Sequence, residues 1–432
     1  MRELLILLCF LCPLSHISAA EVDSIIQKND TLSHWGGSIS LNPGRILALD
    51  RVQKKWLKQA TVFSMGAELH HAFLPADSNA YDADYGYPVI GLGVKYSLNH
   101  NVKMHRNAPD DAWPLIQEVD YDSYMGNSIA FYGFFKRPLF RNRRWEADYI
   151  FNFGVGYSHS KYNPNDNIDN ELIGSRWLLY FGFGLRMAYQ VAPDWSLGLG
   201  VDYWHLSNGA INRPNKGANV CGPSLTLSYT PFYESLLKTG PVRRTPFSPY
   251  LFVDITGGVG YRTLYEDWKH TQFEIGPDDP DYRIDNFSHY FAYTMQSSLM
   301  CRYARRWASG VEADVFYGDY ASRLKEYDER AGRDLPHSPW SVGLGVKHEA
   351  YYRSLKVSMS FGWYLYREMG HVANRVEKSY YERIGVLYII PKMNGLALGF
   401  SVKAHSAKAD YTEMVLSFPL MLGKQTEDGR KY

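Results

Sequence analysis

From residue 177 to 189 every second residue is large and apolar: Trp177, Leu179, Phe181, Phe183, Leu185, Met187 and Tyr189. The residues between them, Leu178, Tyr180, Gly182, Gly184, Arg186 and Ala188, are small or polar in most cases. Phe151, Phe153, Val155 and Tyr157 repeat the alternation against Asn152, Gly154, Gly156 and Ser158. A period of two puts successive side chains on opposite faces of a strand. One greasy face opposite a small or polar one suits a strand in a membrane barrel. A soluble β-sandwich would share the period, but its outer face would carry charge, and here the charges cluster in the connections. About fifteen such runs follow one another between Thr61 and Phe418, and an even number is expected of a bacterial barrel, so one run is missed or split. Asn163-Pro164-Asn165-Asp166-Asn167, Gly276-Pro277-Asp278-Asp279-Pro280-Asp281 and Asn394-Gly395 carry turn chemistry between runs. The expected fold is all-β: a transmembrane antiparallel barrel of about 14–16 strands, closed so that every backbone group is satisfied in the bilayer.

Composition supports this. The 432 residues include 34 Tyr, 11 Trp and 36 Gly, and the charges balance at 46 Lys+Arg against 45 Asp+Glu. A near-neutral chain has no electrostatic footprint for nucleic acid. No apolar run reaches the ~18–20 residues of a membrane helix. Leu4 to Leu14, followed by Ser18-Ala19-Ala20, reads as a signal peptide over 1–20, cleaved before Glu21. The mature chain then keeps Cys221 and Cys301, two cysteines that define no disulfide framework.

The expected organisation is a polar N-terminal segment (21–60), a barrel half at 61–232, a linker at 233–248, a second half at 249–420 and a polar tail at 421–432. Each half ends in a hairpin with a His near a Ser, His205/Ser207 and His405/Ser406. A single barrel is preferred to two, because tandem barrels call for a longer spacer.

Strand parity singles out one hairpin. Leu197, Leu199, Val201 and Tyr203 share a face, and counting on by twos adds His205 and Ser207, which predicts both on the outer wall. In the returning strand Leu225, Leu227 and Tyr229 set the parity, and Asn219 and Cys221 share it. A turn centred near Arg213 would set Ser207 opposite Asn219. Three polar side chains then converge where unpaired polar groups are costly. His-x-Ser lets an imidazole reach a hydroxyl, the nucleophile–base arrangement of serine hydrolases. Asn208 and the Gly209 amide lie where oxyanion donors are wanted. The plainer alternative is an interfacial polar pair at a strand end.

His205-x-Ser207-Asn208-Gly209, followed by Pro214-Asn215-x-Gly217, resembles the active-site hairpin of the lipid A 3-O-deacylase (PagL-like) family of outer-membrane barrels. Asn170-x-x-Ile173-Gly174-Ser175 resembles the acyloxyacyl-hydrolase-type members. The resemblance covers about Asn163–Tyr229. It implies an outer-membrane location, lipid A (lipopolysaccharide) as substrate, outer-membrane lipids as surroundings, and no cofactor or metal. It also implies Ser207 as nucleophile, His205 as general base, Asn208 and Gly209 as oxyanion candidates, and Pro214, Asn215 and Gly217 as loop-shaping residues. The family's third member is a Glu, and the matching position holds Asn219. An amide orients an imidazole but cannot stabilise imidazolium, so a slow enzyme, another recruited acid or an inactive barrel all remain open.

Other features carry less. Lumen parity for His405 and Lys403 suggests a Lys403–Glu413 ion pair inside the barrel. His70-His71 reads as coincidence, since adjacent strand residues face opposite sides. Arg141-Asn142-Arg143-Arg144 and Arg243-Arg244 are candidate phosphate contacts or solvated turns. Rival readings are a non-catalytic structural or pore-forming barrel and a phospholipase-like barrel. Orientation is unresolved: the count makes the Ser207 hairpin sixth to seventh, with its turn in the periplasm. A further strand near Trp35–Leu41 or Trp113–Val119 would turn it outward.

Overall fold

The computed structural model describes residues 34–49, 51–77, 80–106, 118–238 and 246–422. The expected signal peptide, the Arg243-Arg244 pair and most of Trp113–Val119 lie outside the described residues.

The alternation produces strands, but they close twice. The first sheet begins with β1 (Trp35–Ile46) and β2 (Leu57–Ala72) and continues with β3 (Val89–Leu98). After two short strands, β4 (Val102–Met104) and β5 (Ser123–Tyr124), come β6 (Ser128–Arg141), β7 (Trp145–Ser158), β8 (Trp177–Ala192), β9 (Trp195–Ser207) and β10 (Ala218–Tyr229). β1 pairs with β2 on one side and with β10 on the other, which closes an eight-stranded antiparallel barrel and leaves β4 and β5 as a flap on β2. The second barrel has eight further strands: β11 (Tyr250–Arg262), β12 (Tyr290–Ala304), β13 (Trp307–Gly318), β14 (His337–Tyr352), β15 (Leu355–Met369), β16 (Tyr380–Ile389), β17 (Ala397–His405) and β18 (Lys408–Leu422), closed by β11–β18.

The expected single barrel is therefore replaced by two. The strand missing from the alternation is β1, inside what reads as a polar segment. Its Gly36-Gly37 and Asn42-Pro43-Gly44 dilute the alternation. With β1 present the first half needs nothing from the second: Gly37 pairs with Tyr229 and Leu41 with Leu225. Eight strands leave a lumen just wide enough for side chains to fill. Here Arg186 lies 3.6 Å from both Glu68 and Asp202, Asn42 donates to Asp202 at 2.8 Å, and Tyr132 donates to Glu68 at 3.0 Å. In the second barrel Lys347 meets Asp254 at 2.8 Å, and Arg383 bridges Asp314 and Glu413 at 3.1 Å each. These networks occupy the lumens of both barrels and weigh against a wide pore. The outer faces are apolar, with Leu199 66% and Met295 61% exposed to the surroundings. Aromatic pairs such as Trp145–Tyr189, Trp195–Tyr229, Tyr157–Trp177 and Tyr317–Trp340 stand near the strand ends, as in the girdles of membrane barrels.

β1 also settles the direction of the hairpins. The start of β1 lies beside the tight turns Asn142–Arg144 and Pro193–Asp194, whereas the β9–β10 hairpin, now strands seven and eight, turns at the opposite end. The Arg141–Arg144 cluster thus lies at the far end from Ser207, and Arg141 is held by Glu146 at 2.7 Å.

The barrels stand side by side with the same sense and touch near both ends. At the tight-turn end Asp82, fully buried, accepts from the Tyr352 hydroxyl at 2.7 Å and from Arg353 at 2.6 and 3.2 Å. Phe135 packs against the Tyr352 ring at 4.9 Å. Asp82→Ala is expected to weaken the barrel-to-barrel contact by about 1–3 kcal/mol. Limited proteolysis should then cut faster between Thr230 and Pro249 while both barrels stay resistant, and an unchanged cutting rate would refute the role of this contact.

Candidate functional site

The β9–β10 hairpin carries the residues singled out by parity. His205 is half-buried on the face that Leu197, Leu199 and Val201 expose. Ser207 shares that parity but is covered, with 8% of its surface exposed. The register differs from expectation: Asn219 pairs with His205, not Ser207, because the turn is centred on Asn212, one residue before Arg213. The shift brings Asn219 directly across from the imidazole. Its Oδ1 accepts from His205 Nδ1 at 2.8 Å and from the Tyr203 hydroxyl at 2.7 Å. With its proton on Nδ1, the ring leaves Nε2 as the acceptor. Among the described residues no carboxylate forms an ion pair with His205.

His205 and Ser207 are neighbours without a hydrogen bond between them. Gly217 marks the space they share. Its φ is +73°, a conformation that favours glycine. A Cβ built there would collide with the imidazole edge, 3.1 Å from Nε2, and would lie 3.2 Å from Ser207 Cβ. Gly217→Ala is therefore expected to lower kcat by at least about 10²-fold, since a 1 Å misplacement in a reacting pair can cost that much. Wild-type turnover in that variant would contradict the assignment of this space to the reacting atoms.

The loop is held from several directions. The Asn208 N–H donates to Asn215 Oδ1 at 3.1 Å and its side-chain amide to the Asn212 carbonyl at 3.0 Å, so both kinds of Asn208 donor are engaged. The Gly209 N–H donates to no group among the described residues. Pro214 is buried at the back of the turn. The segment Asn170–Ser175 packs alongside: Lys216 N–H donates to Glu171 O at 2.9 Å, Gly217 N–H to Leu172 O at 3.0 Å, and Asn212 Nδ2 to Gly174 O at 3.1 Å. Arg213 Nε donates to Thr263 O at 3.3 Å, and burial, with Arg262 nearby, pushes its guanidinium down to about 10.

Tyr203 joins the site beyond its part in the parity: its position two residues before His205 puts its hydroxyl on the same face. The second barrel's last hairpin is different in kind. His405 is buried and faces inward, where Tyr364 lies at 2.8 Å and Arg367 at 3.0 Å. Lys403 pairs with Asp410 at 2.6 Å instead of the expected Glu413, because an irregularity between Lys403 and Ala404 shifts the register; Glu413 is taken by Arg383. His70 faces the lumen beside Glu68 while His71 meets Trp35 edge to face. Cys221 and Cys301 are free, one in each barrel.

Closed antiparallel barrels with filled lumens, apolar outer walls and aromatic rims define an outer-membrane barrel protein of the Gram-negative type. A family model described as lipid A 3-O-deacylase (PagL) matches residues 90–229, and one described as the C-terminal domain of acyloxyacyl hydrolase matches residues 251–421. The two matches fall one on each barrel. Among solved structures it is similar to the outer membrane enzyme PagL, at 14% identity over 45% of this chain and 99% of that one, with a TM-score of 0.28. It is also similar to the ferric enterobactin receptor PfeA, at 10% identity over 86% of this chain and 53% of that one, with a TM-score of 0.21. No curated protein matches the chain.

Proposed function

We propose that the protein is an outer-membrane esterase that hydrolyses an ester-linked acyl chain of lipid A, with Ser207 as nucleophile and His205 as general base. The observation that carries this reading is the Asn219 Oδ1–His205 Nδ1 hydrogen bond, which frees Nε2 as a base next to Ser207. The nucleophile–base bond is made in the substrate complex, as catalytic hydrogen bonds are commonly loose before substrate binds. Ser207 Oγ then attacks the ester carbonyl carbon as its proton passes to Nε2. The Gly209 N–H, which has no partner among the described residues, is the candidate donor to the charge that develops on the carbonyl oxygen. Collapse expels the sugar alkoxide, which takes the proton from the imidazolium, and water releases the fatty acid by the reverse sequence. The half-buried His205 on an otherwise apolar outer face suits a substrate whose acyl chains already lie in the bilayer.

The test is the mass of lipid A after lipopolysaccharide is incubated with the protein in detergent. Loss of one ester-linked hydroxyacyl chain, absent with Ser207→Ala, is the expected result. Unchanged lipid A, or acyl release from glycerophospholipid instead, would overturn the reading.

A further inference from the structure

The turn that follows Ser207 is anchored to the other barrel. Gly209 and Ala210 have φ of +62° and +70°, two successive residues in the left-handed region. For alanine that conformation is costly and persists only where the surroundings impose it. Within the first barrel the neighbouring polar groups hold one another: Asn208 with Asn212 and Asn215, and the Ile211 N–H with the Asn208 carbonyl at 3.2 Å. The two left-handed residues direct their carbonyls outward. Thr412 Oγ1 on β18 donates to Gly209 O at 2.9 Å, and the Thr263 N–H, just past β11, donates to Ala210 O at 3.1 Å. The Thr263 carbonyl accepts from Arg213 Nε, so the turn and the rim of the second barrel clasp each other. Thr412 shares the parity of Met414, Leu416 and Phe418, whose face is otherwise apolar. A hydroxyl on such a face is costly unless it is partnered, and its partner is the turn of the other barrel.

We infer that the second barrel acts as the support of the hydrolytic hairpin, with Thr412 as a positioning residue that fixes Gly209 by its carbonyl and so orients the residue whose N–H has no partner among the described residues. This rests on the esterase reading above. Holding an oxyanion donor matters in the transition state more than in substrate binding, so the effect falls on kcat. In the full-length protein in detergent, Thr412→Val is expected to lower kcat on lipopolysaccharide about tenfold with KM within about twofold, the size of one lost hydrogen bond. Thr412→Ala removes the same hydroxyl and should do the same, whereas Thr412→Ser keeps it and should stay within about twofold of wild type. Heat-modifiable electrophoretic mobility reports whether each barrel is intact. Wild-type kcat in the Val and Ala variants, or an equal fall in the Ser variant, would overturn the positioning role and leave the esterase reading standing. Absence of turnover by the wild-type protein would overturn both.

Discussion

Asn219→Asp is expected to speed hydrolysis by about 10²-fold or more. Asp→Asn in a serine protease triad lowers kcat by ~10⁴, partly through the wrong tautomer. Here the tautomer is already set, because the Asn219 carbonyl oxygen accepts from Nδ1 at 2.8 Å. What the amide lacks is the charge that stabilises imidazolium once Ser207 has given up its proton. Aspartate is isosteric and puts an anionic oxygen at the same point, with the Tyr203 hydroxyl ready to donate to it. Asn219→Glu restores the residue type of the family but must fit one more methylene in a buried site, so a smaller gain is expected. Steady-state release of fatty acid from lipopolysaccharide measures both. A carboxylate that leaves kcat unchanged would mean that no imidazolium forms in the rate-limiting step.

The second large effect is at the base. His205→Gln should lower kcat by at least about 10³-fold, a loss comparable to removing a triad member. Glutamine can still accept from a donor but cannot take a proton near neutrality, so the barrel remains while turnover stops. Because Ser207 and His205 act as a unit, the Ser207→Ala/His205→Gln double variant should be no slower than either single one. Additive losses would show that the two residues act in separate steps.

Much of this architecture is readable from residue order. The alternation in Trp177–Tyr189 defines β8, and the same counting puts His205 on the face of Leu197 and Val201. What parity cannot supply is where a sheet closes. The alternation identifies strands one by one, but closure depends on β1 meeting β10, and the glycines and proline of β1 leave it legible only as the candidate strand near Trp35–Leu41. Register is the other limit. A two-residue shift of register in the hairpin separates Ser207↔Asn219 from His205↔Asn219, and that shift follows from the ten-residue turn Asn208–Gly217 and its bonds to Glu171, Leu172 and Gly174. The same limit explains Lys403, whose partner moves from Glu413 to Asp410 across a local irregularity. Contacts between barrels are beyond any period-two argument, and only the misplaced polarity of Thr412 on an apolar face hints at one.

The central claim is that Ser207 is a nucleophile activated by His205. The most direct measurement is covalent trapping: the purified barrel in detergent is treated with a lipophilic fluorophosphonate and the modified peptide is identified by mass spectrometry. One adduct is expected, on Ser207, formed by the wild-type protein and by Asn219→Asp but not by His205→Gln. An adduct on another residue, or none while lipid A is still deacylated, would contradict it.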